Sequence, residues 1–156
     1  MNKKIGVSFK FDKYDKHFII IFKDIDLNKY IWHVTNSEII YYNEEIKRAD
    51  TGVLEPNVYN GEKFLKQINS FPYYVISTRL FATSVGNTIK PEEITDYNAF
   101  YNSNCEIALL CADSYVDFYA KDESVIDAVA ESCKKHYNCD VMFITKENDM
   151  RTGFYI

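Results

Sequence analysis

Glycine and proline are scarce in this 156-residue chain, at five and three residues, and the glycines (Gly6, Gly52, Gly61, Gly86, Gly153) never cluster. A glycine-rich loop of the kind that cradles phosphate is therefore absent, and no Pro/Gly/Ser-rich linker divides the chain. Arginine is as scarce as proline (Arg48, Arg79, Arg151), and no basic block is longer than the pair Lys3-Lys4. With a net charge of −5 and acids and bases interspersed, the clustered cations needed on a phosphate backbone are missing, which excludes nucleic acid as the expected partner. No apolar run approaches the roughly 20 residues that a bilayer demands of a helix. Met1-Asn2-Lys3-Lys4 is followed by Ile-Gly-Val-Ser-Phe-Lys rather than by the apolar stretch of a signal peptide. The expectation is a cytoplasmic protein without membrane contact. In that compartment the four cysteines read as reduced core thiols, not as a disulfide framework.

What is present is an ordinary globular composition, 47% hydrophobic and 26% charged. A chain of this length buries about 68–70% of its unfolded surface and needs no staple. The chain is organised around Cys105 to Ala120, CEIALLCADSYVDFYA. Ile107 to Ala112 is apolar at every position, as a central strand covered on both faces would be. After a turn at Asp113-Ser114 the pattern alternates, with Val116, Phe118 and Ala120 on one side and Tyr115, Asp117 and Tyr119 on the other. This hairpin is expected in the middle of a sheet.

Earlier in the chain, Ile5, Val7, Phe9 and Phe11 alternate as a strand. KYDKHFIIIFKDI fits a helix through Tyr14, Phe18, Ile21 and Ile25, with Asp12 as its cap. Tyr30 to Thr35 and Glu38 to Tyr42 read as two strands joined by an Asn36-Ser37 turn, and Glu44 to Asn60 as a long surface connection. Asn60 caps a helix over Gly61 to Asn69 with Phe64, Leu65 and Ile68 as its apolar face. Tyr73 to Phe81 is a strand, and Thr95 opens a short helix carrying Tyr97, Phe100 and Tyr101. Ser124-x-x-Asp127 resembles a capping box for a helix whose stripe is Val125, Val129 and Cys133 and whose left-handed end is Asn138. Val141 to Thr145 and Phe154 to Ile156 are the last strands. The order is βαββαβ-αββαββ, which implies one α+β domain over residues 1–156, a largely antiparallel sheet with helices packed on it. The first six elements are compatible with a ferredoxin-like unit.

Cys105-Glu106-Ile107-Ala108-Leu109-Leu110, Asp113-Ser114-Tyr115-Val116, Lys121-Asp122 and above all ITKENDMRTG (Ile144 to Gly153) carry a resemblance. The chain from Glu106 onward resembles a small uncharacterised Firmicute (Bacillus-type) family of about this length, domain of unknown function family 2691. Weaker likeness runs through Asp26 to Trp32 and Tyr73 to Ala82. Met150 stands where the END-T-RTG-like motif of that family has Thr. The resemblance implies a single soluble domain, with no reaction and no ligand.

Candidate sites are few. Glu147, Asn148, Asp149 and Arg151 place two carboxylates, an amide and a guanidinium within five residues, a set able to bind a polar ligand or a metal through oxygens. The competing reading is a hairpin loop in which Asn148 or Asp149 bonds the backbone and Arg151 pairs with a nearby acid. Cys133-x-x-His136-x-x-Cys139 offers soft ligands, but three where a structural zinc takes four, so no metal is expected. Cys105 and Cys111 lie an even number of residues apart, so both are expected on one side of the strand, buried and inert. GxSxG and HExxH are absent, and His17, His33 and His136 are scattered. The tyrosines Tyr41, Tyr42, Tyr73, Tyr74, Tyr97, Tyr101, Tyr115 and Tyr119 could serve an interface or simply cover seams. The sequence thus points to a non-enzymatic binding or protein-interaction module with no catalytic residue and no cofactor, whose partner is a protein or a small polar ligand. The alternative is a small hydrolase- or transferase-like enzyme using the C-terminal acidic and arginine loop, with His136 as a further candidate.

Overall fold

The computed structural model describes residues 3–11, 15–43, 48–50, 54–70 and 72–156. Their strands are β1 (Gly6–Lys10), β2 (Tyr30–Asn43), β3 (Arg48–Asp50), β4 (Asn57–Asn60), β5 (Tyr73–Ser84), β6 (Cys105–Ala112), β7 (Tyr115–Ala120) and β8 (Met142–Ile144). The helices are α1 (His17–Ile21), α2 (Gly61–Ile68), α3 (Tyr97–Asn102) and α4 (Glu123–Tyr137). All strands join one sheet in the order β3-β2-β5-β6-β7-β1-β8, with β4 beside β2, and every pairing is antiparallel. The chain is therefore α+β with an antiparallel sheet, as its periodicities imply. None of the helices is long and apolar enough to cross a membrane.

The hairpin sits where its apolar pattern requires. β6 lies at the centre of the sheet, and Ile107 to Cys111 are all buried. Asp113 and Ser114 both take positive φ, 51° and 72°, the backbone of a type I′ turn that matches the twist of its flanking strands. Here it is built without glycine. Two layers then cover the sheet. On one face α1, α2 and α4 enclose Val7, Phe9, Trp32, Leu80, Leu109 and Phe118, among others. On the other, α3 and two irregular segments enclose Phe81, Ile94, Phe100, Leu110, Tyr119 and Phe154. Arg79 pins this second cover. Its guanidinium lies 4.5 Å over the Phe81 ring and donates to Phe154 O at 2.5 Å, Ile94 O at 2.8 Å and Thr35 Oγ1 at 3.1 Å. One side chain thus ties the tail, the segment before α3 and strand β2.

Several expectations need correction. Asn36-Ser37 is no turn, because β2 runs unbroken from Tyr30 to Asn43, with irregularities at Val34/Asn36 and Glu38/Ile39 that absorb the polar pair. The stretch from Glu44 to Asn60 contains β3 and β4; β4 bonds along Ile31 to Val34, with only Tyr59 turned into the core. Phe154 to Ile156 forms no strand, although Phe154 is buried and donates its N–H to Thr95 O at 2.7 Å. The first elements are not ferredoxin-like, since β1 pairs with β7 and β8. Cys105 and Cys111 face opposite layers, because a register shift where β6 meets Ala82/Thr83 breaks the parity between them. α1 is shorter than its pattern suggests, its proposed cap Asp12 lying outside the described residues and Lys16 standing at its start. α3 is capped by Asp96 and α4 by Asp122, not by Thr95 and Ser124. Asn60 caps α2 through Lys63 N at 2.8 Å, and Asn138 closes α4 in the left-handed region, both as the sequence implies.

Gly61 fixes how closely α2 approaches the chain beside it. A Cβ there would meet Leu27 O at 2.5 Å and Asn28 Cα at 2.6 Å, backbone atoms that cannot rotate away. Helix propensity favours alanine by up to ~1 kcal/mol, whereas overpacking costs ~1–3 kcal/mol. Gly61→Ala is expected to lower the unfolding free energy in urea by ~1 kcal/mol or more; an unchanged or raised midpoint would show that the contact yields.

Candidate functional site

Of the four sequence candidates, the tail after β8 draws Asp149 and Arg151 into one network and keeps Asn148 within its own loop. Asn148 folds the loop onto itself, its side-chain oxygen accepting from Thr145 N at 2.8 Å and its Nδ2 donating to Phe143 O at 3.0 Å. Asp149 accepts from the Tyr119 hydroxyl at 2.9 Å and from Arg151 N at 3.2 Å. Burial, reinforced by the Asp149 charge, pushes the Tyr119 hydroxyl far above its ordinary pKa. Arg151 reaches β7: its Nε and Nη2 donate to Asp117 Oδ2 at 2.9 and 2.8 Å, and its Nη1 donates to Tyr155 O at 2.8 Å. The other Asp117 oxygen accepts from Ser8 Oγ on β1. A cleft of about 90 Å³ lies above this pair, lined by Ser8, Asp117, Met142, Asn148, Asp149 and Arg151 among others. Glu147 stays exposed outside the network, and Met150 is 90% exposed. Chemically, the arrangement fastens the tail to the sheet through a charge-assisted fork.

The thiols and histidines are dispersed. Cys105, Cys111 and Cys133 are buried, and burial pushes each up to about 12; Cys139 is partly exposed, and burial raises it as well. His136 does not join Cys133 and Cys139, because its ring turns to Asp15 Oδ2 at 2.9 Å. Burial alone would raise the Asp15 carboxyl, but hydrogen bonds from His136 and Lys16 N outweigh it and hold it below the usual carboxylate value. Among the described residues no three His, Cys, Asp or Glu side chains converge as metal ligands would. His17 is fully buried, stacked on Phe11 with ring centroids 3.7 Å apart and its Nδ1 2.6 Å from the Tyr137 hydroxyl. The tyrosines divide: Tyr73 and Tyr119 are core, Tyr41, Tyr74 and Tyr97 half-buried, Tyr101 and Tyr115 exposed. The side chain of Tyr42 lies outside the described residues.

A larger feature escaped the sequence reading. Between the segment 17–28 and α2 runs a groove of about 570 Å³. Phe18, Phe22 and Ile68, all buried, form its floor; Ile19, Ile25 and Leu27, partly buried, form one wall; Leu65, 45% exposed, forms the other. Lys23, Asp26, Asn28 and Glu62 stand at its rim. The Gly61 contact with Leu27 and Asn28 closes one end. Leu65 was legible as part of an apolar helical face, but period alone does not separate a side chain inside the core from one beside an open groove.

Comparison with known proteins places this geometry in context. The sequence model of a family described as "Protein of unknown function (DUF2691)" matches residues 4–155. An uncharacterized protein of Bacillus subtilis (strain 168), YncE, is similar at 29% identity over 153 residues, which is 97% of this chain and 98% of that protein. No solved structure matches significantly.

The network and the burial of the thiols make one expectation each. Arg151→Ala strands a half-buried Asp117 and is expected to cost ~2 kcal/mol of stability in urea unfolding, whereas an unchanged midpoint would mean the fork is idle. A thiol reagent such as 5,5′-dithiobis(2-nitrobenzoate) should label native protein only at Cys139, so that Cys139→Ser abolishes native labelling; rapid labelling of that variant would show a second accessible thiol.

Proposed function

This chain belongs to the DUF2691 family, and on that premise we propose that it is a non-enzymatic binding module whose contact surface is the groove between the 17–28 segment and α2. The observation that carries the proposal is the groove itself: about 570 Å³ of space with an apolar floor and walls and a few polar groups at the rim. That volume falls within the ~300–1,000 Å³ typical of ligand sites, which share its apolar lining. Leaving Leu65 and the edges of Ile19, Ile25 and Leu27 in water forgoes ~25 cal/mol for each Å² that a ligand would cover. In this reading Asn148, Asp149 and Arg151 serve the fold, with Asp149 and Arg151 holding the second cover; Glu147 carries no assigned role. The enzyme alternative lacks comparable support. The guanidinium and carboxylate it would use bind Asp117, Tyr119 and backbone carbonyls instead, and His136 is paired with Asp15.

Nile red, a neutral dye whose emission strengthens and shifts blue in apolar surroundings, tests this. It is expected to bind the native protein, and Leu65→Gln is expected to weaken that binding about fivefold, in line with the loss of one half-buried leucine contact, while leaving the thermal midpoint within a degree or two. Equal dye binding by both proteins, with both folded, would remove the groove as the contact surface.

A further inference from the structure

We propose that the groove receives an amphipathic helix of a partner protein, with three apolar anchors on one stripe and a basic residue lying over Asp26 and Glu62. The inference rests on the groove being the contact surface. Its first support is shape. The α2 wall has eight residues, ~12 Å at 1.5 Å per residue. Anchors at i, i+4 and i+7 of a docked helix span ~10.5 Å by the same rise, a match in length. The second support is where the apolar surface lies. A small ligand is largely enclosed by its site, but here the upper edges of both walls are in water: Leu65 is 45% exposed, and Ile19 and Ile25 opposite it are only partly covered. Flanking side chains of a helix would cover those edges, and a compact molecule seated on the floor would not.

The third support is charge. Gly61 packs against Leu27 and Asn28, so Asp26 and Glu62, the residues next to that contact, gather at one end of the groove. Both are exposed. Asp26 uses one oxygen to accept from Asn28 N at 3.1 Å, which leaves its charge and second oxygen to solvent. Among the described residues, Lys23 is the single cation lining the groove, since Lys63 and Lys66 of α2 are not part of its lining. Two carboxylates against one ammonium, on a chain of net charge −5, favour a basic partner and disfavour an acidic one.

The test uses the full chain and two 14-residue peptides, acetylated and amidated, each with leucine at i, i+4 and i+7. The polar positions carry lysine and glutamine in one and glutamate and glutamine in the other. Fluorescence anisotropy in 150 mM salt is expected to give micromolar binding of the lysine peptide and at least tenfold weaker binding of the glutamate peptide. Leu65→Gln should weaken the lysine peptide about fivefold, and Asp26→Asn with Glu62→Gln should shrink the discrimination between peptides to below threefold. Equal binding of the two peptides, or lysine-peptide binding unchanged in Leu65→Gln, would overturn the proposal. If neither peptide binds while Nile red still distinguishes wild type from Leu65→Gln, the helix is wrong and the groove stands; if the dye does not distinguish them either, the groove reading falls with it.

Discussion

A strand whose residues from Ile107 to Ala112 are all apolar must be covered twice, and the architecture follows from meeting that demand at β6. Ile107, Leu109 and Cys111 face the helical layer, while Ala108 and Leu110 face the opposite one. The first face receives α4, fifteen residues long, together with the shorter α1 and α2. Among the described residues the second face has α3, of six residues, and one 3-10 turn at Pro91–Glu93, so most of its cover is irregular chain. Irregular chain carries backbone groups that need partners, and two arginines supply them. Arg79 donates to the carbonyls of Phe154 and Ile94, and Arg151 to the carbonyl of Tyr155 while gripping Asp117. Guanidinium, with its planar array of donors, can hold several loops at once where an ammonium could not. Of the three arginines in the chain, these two act as fasteners.

The groove is a by-product of the same economy on the helical side. Behind it the core is well made: Trp32 and Phe64 stack with centroids 4.4 Å apart and planes 4° from parallel, and Phe22 packs against both. In front of it, a five-residue α1 and an eight-residue α2 leave part of the floor they share open. Tyr73 sets their mutual position from below, its buried hydroxyl accepting from Phe18 N at 2.9 Å and donating to Ile68 O at 3.2 Å. The groove is thus anchored at its base by a hydrogen-bonded core residue and at one end by the Gly61 contact, a rigid frame around an apolar opening.

How much of this was legible follows from which signals are local. The hairpin β6–β7 was, because continuous burial followed by strict alternation is written in side-chain chemistry alone. The caps at Asn60 and Asn138 were, because a short amide next to an apolar period has few other uses. Local chemistry splits strand β2: Asn36 and Ser37 have turn chemistry, and only pairing to β5 across an irregular register reveals that they lie within a strand. The opposite burial of Cys105 and Cys111 was hidden for the same reason, since a bulge is a relation between two strands. Strand β4 was missed because its four residues expose all but Tyr59. At the candidate site, the pairing of Arg151 with an acid was foreseen, but its identity as Asp117, thirty-four positions away, was not. The groove was invisible because it is the space between segments, and no residue type marks a space.

The position of β1 carries a consequence of another kind. Gly6 pairs with Tyr119 on one side and with Ile144 on the other, so β1 slots between strands that lie near the far end of the chain. Such closure spans most of the sequence, from Gly6 to Ile144, and non-local pairing slows folding. Until β1 inserts, β7 and β8 present unpaired edges toward each other, and an identical β1 from a second molecule fits that slot as well as the chain's own. Strand exchange between copies is accordingly the misassembly that this topology would admit. Its rate is set by how quickly each molecule fills its own slot.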